Sequence, residues 1–160
     1  MTTASGSRFG SIRSSGSATQ HKAPLRYPDP NVCPNCEVVF AGGRWCWILP
    51  SVGASRELCP ACRRIEDHYP AGIVTLSGSF LRSHRTEILD LLHNEEIAER
   101  DEHPLNRLMG LEEGGGTIVA TMTGTQLAQR IAEVLRSTYG GELEIRYSDD
   151  DSQVQVRWSL

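Results

Sequence analysis

The chain has 160 residues, 39% of them hydrophobic, and a formal net charge of −4 at pH 7. That length allows one domain, or a small metal module fused to one α/β domain. No apolar run approaches transmembrane length, and the acidic balance argues against a globally basic nucleic-acid binder.

The charge is unevenly placed. Arg8, Arg13, Lys22 and Arg26 come before the first acid, Asp29, leaving twelve arginines against twenty acids in the rest, or −8. Residues 1–27 are rich in Ser, Thr, Gly and Ala and show no apolar periodicity, so a disordered basic arm is expected. A secretory apolar core is lacking, which points to a reducing, cytoplasmic setting with free thiols; an organelle transit peptide stays open as an alternative. Lys22 is the only lysine beside fifteen arginines, read as the base-composition bias of a bacterial genome.

Residues 28–70 carry the sharpest signal. Cys33-Pro34-Asn35-Cys36 and Cys59-Pro60-Ala61-Cys62 are two C-P-x-C knuckles separated by Glu37 to Leu58, slightly beyond the usual zinc-ribbon spacing. Four thiolates can close a tetrahedron around Zn²⁺ and leave no position for water, so such a metal organises structure. Between the knuckles, Glu37–Phe40 and Arg44–Ile48 are expected strands joined by an Ala41-Gly42-Gly43 turn. Trp45 and Trp47 would share one strand face and pack over the metal, with base stacking as the alternative. Cys46, pointing the other way, is expected to be a small core residue. After the second knuckle a short helix over Arg63–Tyr69 should stop at Pro70.

Residues 71–160 alternate between strand and helix signals. Ile73–Ser77 reads as a strand broken by Gly78, and Leu81, His84, Ile88, Leu91 and Leu92 repeat at helical spacing. Asn94-Glu95-Glu96 continues that helix or opens a new one, and helix must end before Pro104. Leu105–Glu112 and Thr117–Thr123 form a hairpin about Gly114-Gly115-Gly116. Thr123-Gly124-Thr125-Gln126 has capping-box spacing ahead of an apolar stripe at Leu127, Ile131, Val134 and Leu135. Two alternating segments, Leu143–Tyr147 and Val154–Trp158, close the chain as a hairpin with one buried face. The expected class is α+β: a zinc ribbon followed by a ferredoxin-like β-α-β-β-α-β domain with an extra C-terminal strand. Its open sheet face could bind a partner, but its strands Ile73–Ser77 and Thr117–Thr123 lack the aromatics of an RNA-recognition sheet.

With these elements in place, Cys33 to Trp158 resembles the cysteine-rich amino-terminal part of the Nmd-three family. The matching features are Cys33-x-x-Cys36 followed by Trp45, and Cys59-x-x-Cys62-Arg63-Arg64-Ile65-Glu66 running into a short helix. A strand, the helix through His84-Arg85 and Ile88-Leu89, the Leu108–Val119 hairpin and the Thr125–Leu135 helix complete the match. Short bacterial zinc-ribbon relatives with the same Cys-Pro-x-Cys, Tyr-Pro-Ala-Gly and His-Pro-Leu elements look closer still. The resemblance implies association with ribosomal RNA or a ribosomal subunit; bacterial origin would remove the family's nuclear export role. The family's longer members have further CxxC pairs that this chain lacks.

Enzyme chemistry finds no constellation. His84, His93 and His103, with Glu95, Glu96 and Glu99, invite a second metal, but His84 sits on the apolar stripe as a core histidine would, and the acids read as a solvated helix face. No phosphate loop or nucleophile elbow is present. The expectation is a non-enzymatic zinc protein that binds the ribosome or structured RNA. Arg8, Arg13, Lys22 and Arg26 would touch phosphate, and Arg44, Arg56, Arg63 and Arg64 would add a basic edge. The alternative is a protein-interaction adaptor using the open sheet or the acidic helix.

Overall fold

The computed structural model describes residues 26–150 and 152–160. Arg8, Arg13 and Lys22, and with them the expected disorder of the arm, lie outside the described residues. Tyr27, at the end of that expected arm, belongs with the ribbon: its ring meets Trp45 edge-on at 4.8 Å.

A small antiparallel sheet comes first, with β1 (Asn31–Val32), β2 (Val39–Ala41) and β3 (Arg44–Cys46) in that order. Gly42 and Gly43 both have positive φ, 61° and 77°. That gives a primed two-residue turn, whose twist matches that of the strands. β2 starts later than expected because Glu37 turns left-handed at φ 67° to close the first knuckle, and β3 ends at Cys46, two residues early. β1 was not expected. The buried side chain of Asn31 holds it, accepting from Glu57 N–H at 2.9 Å and donating to Glu57 C=O at 3.1 Å. Helix α1 (Pro60–Glu66) starts earlier than Arg63 because Cys59 caps it and Pro60 sits at its first position.

The larger body contains β4 (Gly72–Ser77), α2 (Ser79–Ser83), α3 (Arg85–Glu102), β5 (Leu108–Gly114), β6 (Thr117–Met122), α4 (Thr125–Tyr139), β7 (Glu142–Tyr147) and β8 (Val154–Ser159). The five strands run in the order β5-β6-β4-β8-β7, with β4 and β8 parallel and the other neighbours antiparallel. This departs from the ferredoxin-like arrangement, where the strand after the second helix lies beside the first strand. Here β8 takes that interior place and β7 is displaced to the edge. Side-chain burial gives the reason. Val154, Val156 and Trp158 are about 1% exposed, whereas Ile145 and Tyr147 of β7 are 38% and 50% exposed. The more apolar strand occupies the position that is covered. One sheet face packs through Val74, Leu76, Ile118, Ala120, Val156 and Trp158 against Ile88, Leu92, Leu127, Ile131 and Leu135 of the helices.

Two expected helix details change. The helix through His84 is broken there (φ −122°, ψ 25°), and His84 serves as the end of α2, not as a core histidine. Its Nδ1 meets the Phe80 carbonyl at 3.1 Å and its ring stacks on Phe80 at 3.8 Å. Thr123 does not cap α4. Gly124 occupies the cap, and a Cβ there would stand 1.8 Å from Asn106 Oδ1. The Thr123 hydroxyl is turned instead to the segment before β5, where it accepts from Arg107 N–H at 2.9 Å.

Candidate metal centre

The two knuckles bring Cys33, Cys36, Cys59 and Cys62 together, with all four Sγ atoms within 4.8 Å of one another. Four sulfurs bonded to zinc at about 2.3 Å would lie about 3.8 Å apart. Cys36 Sγ and Cys59 Sγ are 3.7 Å apart, and the cluster's outer limit of 4.8 Å is within about 1 Å of the tetrahedral spacing, so a tetrahedral metal ion needs only a small contraction. The first knuckle is closed by Glu37 N–H donating to Cys33 C=O and Cys33 N–H donating to Val38 C=O, both at 2.9 Å. The second is closed by Cys62 N–H donating to Cys59 Sγ at 3.3 Å. Cys46 stays outside the cluster, its thiol 3.6 Å from Val39 C=O. Among the described residues no other group of three potential ligands is close enough to hold a metal; His93 and His103 are exposed.

The thiols are not electrostatically alike. Burial pushes Cys33 up, but N–H groups of Cys59, Cys36 and Asn35 outweigh it and bring the thiol down to about 7. Burial pushes Cys62 up to about 11, despite a hydrogen bond from Cys59 and with Cys36 and Cys33 adding repulsion. Cys59 is raised further, again by burial first. A cation is what allows four sulfurs in this space to ionise together.

The residue missed by sequence reading is Arg107. It is 4% exposed, and its guanidinium donates to Cys36 Sγ at 3.1 Å, Cys62 Sγ at 3.4 Å and Cys59 Sγ at 3.8 Å. Its Nε donates to Pro104 C=O at 2.8 Å. Burial works against the charge on Arg107, but the sulfurs of Cys36, Cys59 and Cys62 more than offset it and its pKa is raised. A divalent ion with four thiolates would carry two net negative charges, of which Arg107 would neutralise one while orienting three ligands.

What aims Arg107 is a polar lock at the end of α3. Asn106 Nδ2 donates to Glu99 Oε1 and to Gln126 Oε1, each at 3.1 Å. Arg130 ties Glu95 at 2.6 Å and Glu99 at 3.2 Å, and Leu108 N–H donates to Glu96 at 3.0 Å. The acids expected to form a solvated face therefore include a buried one, Glu99 at 6% exposure. They fix the loop from which Arg107 reaches the ribbon. Trp47 fastens the two bodies from the other side. It lies beyond the end of β3, so it is more exposed than the packed Trp45. Its Nε1 donates to Arg100 C=O at 2.9 Å, and its ring lies 5.4 and 5.5 Å from the guanidinium carbons of Arg100 and Arg107.

The arginines expected to form a basic edge separate into two groups. Arg26, Arg44 and Arg56 are exposed. Arg63 and Arg64 are half-buried and turned inward, Arg63 towards Tyr27 and Arg64 over the Tyr69 ring with a 3.2 Å bond to Tyr69 C=O. No helix among the described residues is long and apolar enough to cross a membrane. Comparison with family models, curated proteins and solved structures produced no match.

Proposed function

We propose that the protein is a non-enzymatic, zinc-stabilised adaptor that holds a protein partner on the loop following β3. The observation that carries this reading is an anchored loop with outward-facing apolar side chains. Leu49 is 92% exposed, and Ile48 and Val52 are also large exposed hydrophobics. The loop is tied down at both ends, by Trp47 on α3 and by Val32 N–H donating to Ser55 C=O at 2.8 Å. Beside it lies a shallow hollow of about 620 Å³ lined by Trp47, Ile97, Ala98, Arg100 and Asp101. An apolar centre with a charged rim suits a protein surface. The −8 carried by the chain beyond the arm favours a basic protein over phosphate. Four cysteines leave zinc no open position, which supports an organising metal and a cytoplasmic, reducing setting. The paired substitution Leu49→Asp, Val52→Asp should abolish nuclease-resistant capture of the partner while zinc content and folding are kept. Capture that survives the substitution would overturn the reading.

A second reading, association with the ribosome or structured RNA, is favoured by the acid-free arm and by the resemblance to the Nmd-three family. Arg8, Arg13, Lys22 and Arg26 would supply phosphate contacts, with Arg44 and Arg56 on the ribbon. The four arm contacts alone, made to a single strand, predict a log–log salt slope of about −3. Co-sedimentation with ribosomal subunits that is lost on removing the arm, and insensitive to the Leu49–Val52 substitutions, would select this reading.

A further inference from the structure

We propose that β7 is the dimer interface of this protein, pairing with β7 of a second copy in antiparallel register about a two-fold axis at Ile145. β7 forms one edge of the larger sheet, and among the described residues the backbone polar groups on its outer side have no strand partner. The opposite edge, β5, is protected in the usual ways: its register shifts between Leu108 and Gly110, and it carries Glu112, Glu113 and two glycines. β7 carries charges too, Glu142, Glu144 and Arg146, but it lacks the register shift and the glycines. It pairs with β8 without a register shift over all six residues, and it contains no proline, glycine or lysine. It also leaves Ile145 and Tyr147 exposed on the face that the helices cover elsewhere. Tyr147 is held ready there by Gln129, whose amide donates to its hydroxyl at 2.9 Å.

The sequence of the strand, Glu-Leu-Glu-Ile-Arg-Tyr, selects one register. Residues directly opposite one another in an antiparallel pair point to the same face, so a one-residue slip would set apolar residues against charged ones. With the axis at Ile145, Leu143 opposes Tyr147 of the second copy and Ile145 opposes itself, which extends the apolar face across the join. On the other face Glu144 opposes Arg146 at both symmetry-related positions. Moving the axis to Glu144 or to Arg146 would place like charges face to face. Within one chain Arg146 and Glu144 already pair at 2.6 Å, with side chains 77% and 49% exposed. The dimer exchanges that surface pair for two equivalent pairs between copies. The result is an isologous interface and a continuous ten-stranded sheet.

Sedimentation velocity of the full zinc-loaded chain over a concentration series tests this. The unmodified protein should dimerise. Arg146→Glu, which sets Glu against Glu at both positions, should raise the dissociation constant about tenfold or more. Adding Glu144→Arg to that variant restores opposite charges and should restore the dimer, and zinc content should stay constant throughout. A monomer at every concentration would overturn the proposal and leave the edge to a strand of another protein. A dimer unaffected by Arg146→Glu, or not recovered in the charge-exchanged variant, would place the interface elsewhere.

Discussion

The larger sheet and the ribbon are held by different means. Sixteen buried residues from Val74 to Trp158 form one cluster with the helices. The ribbon's buried cluster has five residues, and three of these are the ligands Cys33, Cys59 and Cys62. Ordering a residue costs roughly 1–2 kcal/mol of backbone entropy. Val32, Val38, Val39 and Ala61, with the ring cluster of Tyr27, Phe40 and Trp45, are a small apolar core for a segment running from Tyr27 to Tyr69. The larger body folds because of its apolar pattern; the ribbon would lean on a metal that makes four thiolates compatible with burial. Arg107 is the point where these two ways of folding meet.

Metal removal should separate them most. Structural zinc contributes on the order of 10 kcal/mol to a small module. A chelator, or Cys62→Ser, should therefore unfold residues 27–69 and leave the β4–β8 sheet intact. Tryptophan fluorescence would report this through Trp45 and Trp47, and far-ultraviolet circular dichroism through the surviving helices. The same dependence gives a pH effect. Burial holds Cys62 at about 11 and Cys59 higher in the metal-free pocket, so both are protonated at neutral pH and release protons when the metal binds. Affinity should thus fall as pH falls, by about tenfold per pH unit for each proton released. A pH-independent affinity, or a ribbon that survives chelation, would break the comparison.

The converse change is Trp158→Ala. Trp158 is 1% exposed and its Nε1 donates to Gly140 C=O at 2.8 Å. Losing it should cost the larger body about 3–5 kcal/mol, read as a lower thermal midpoint for the helical signal. The ribbon should still bind metal, because Trp158 takes no part in its cluster. Loss of metal together with the helical signal would show that the two regions fold as one unit.

Much of this division is legible in the residues themselves. The CxxC knuckles identify ligands by spacing alone, and Val154, Val156 and Trp158 identify a strand by alternation. Gly42-Gly43 and Gly115-Gly116 mark turns because both members need positive φ. Strand order is different: periodicity says that β7 and β8 exist, but relative burial decides which lies inside. Arg107 was harder still. It is one arginine among fifteen, and its role depends on a loop held by Glu99, Gln126 and Thr123, which are distant in sequence. Its local signal is weak, an Asn106-Arg107 pair interrupting Leu105 and Leu108 where a strand would continue.

Arg107 allows a finer test of the join. Arg107→Met keeps much of the side-chain volume and removes the charge and its hydrogen bonds to Cys36, Cys59 and Cys62. Loss of such an outer contact to a metal ligand typically lowers metal affinity 10–100-fold. Arg107→Lys should recover only part of it, since an ammonium cannot reproduce the fork that reaches several sulfurs. Competition with a chromogenic chelator measures both. Equal affinity in all three proteins would mean that the ribbon binds metal independently of the larger body.

The smallest expected effect lies within the first knuckle. Glu37 holds φ 67°, a left-handed conformation that costs an L-residue roughly 1–2 kcal/mol and a glycine almost nothing. Its N–H nevertheless bonds Cys33 C=O at 2.9 Å, so the conformation closes the ligand loop. Glu37→Gly relieves the strain and also loosens the unfolded chain, which returns about 0.4–1 kcal/mol of the gain. The net expectation is a few tenths of a kcal/mol up to about 1 kcal/mol in favour of the metal-bound ribbon. In the chelator competition this appears as affinity raised up to about fivefold. His68, left-handed at φ 50° but beyond α1 and away from the ligands, supplies the control: His68→Gly should stabilise the chain without a comparable change in metal affinity. A weaker metal site in Glu37→Gly would mean that the glutamate side chain contributes more than its backbone conformation costs.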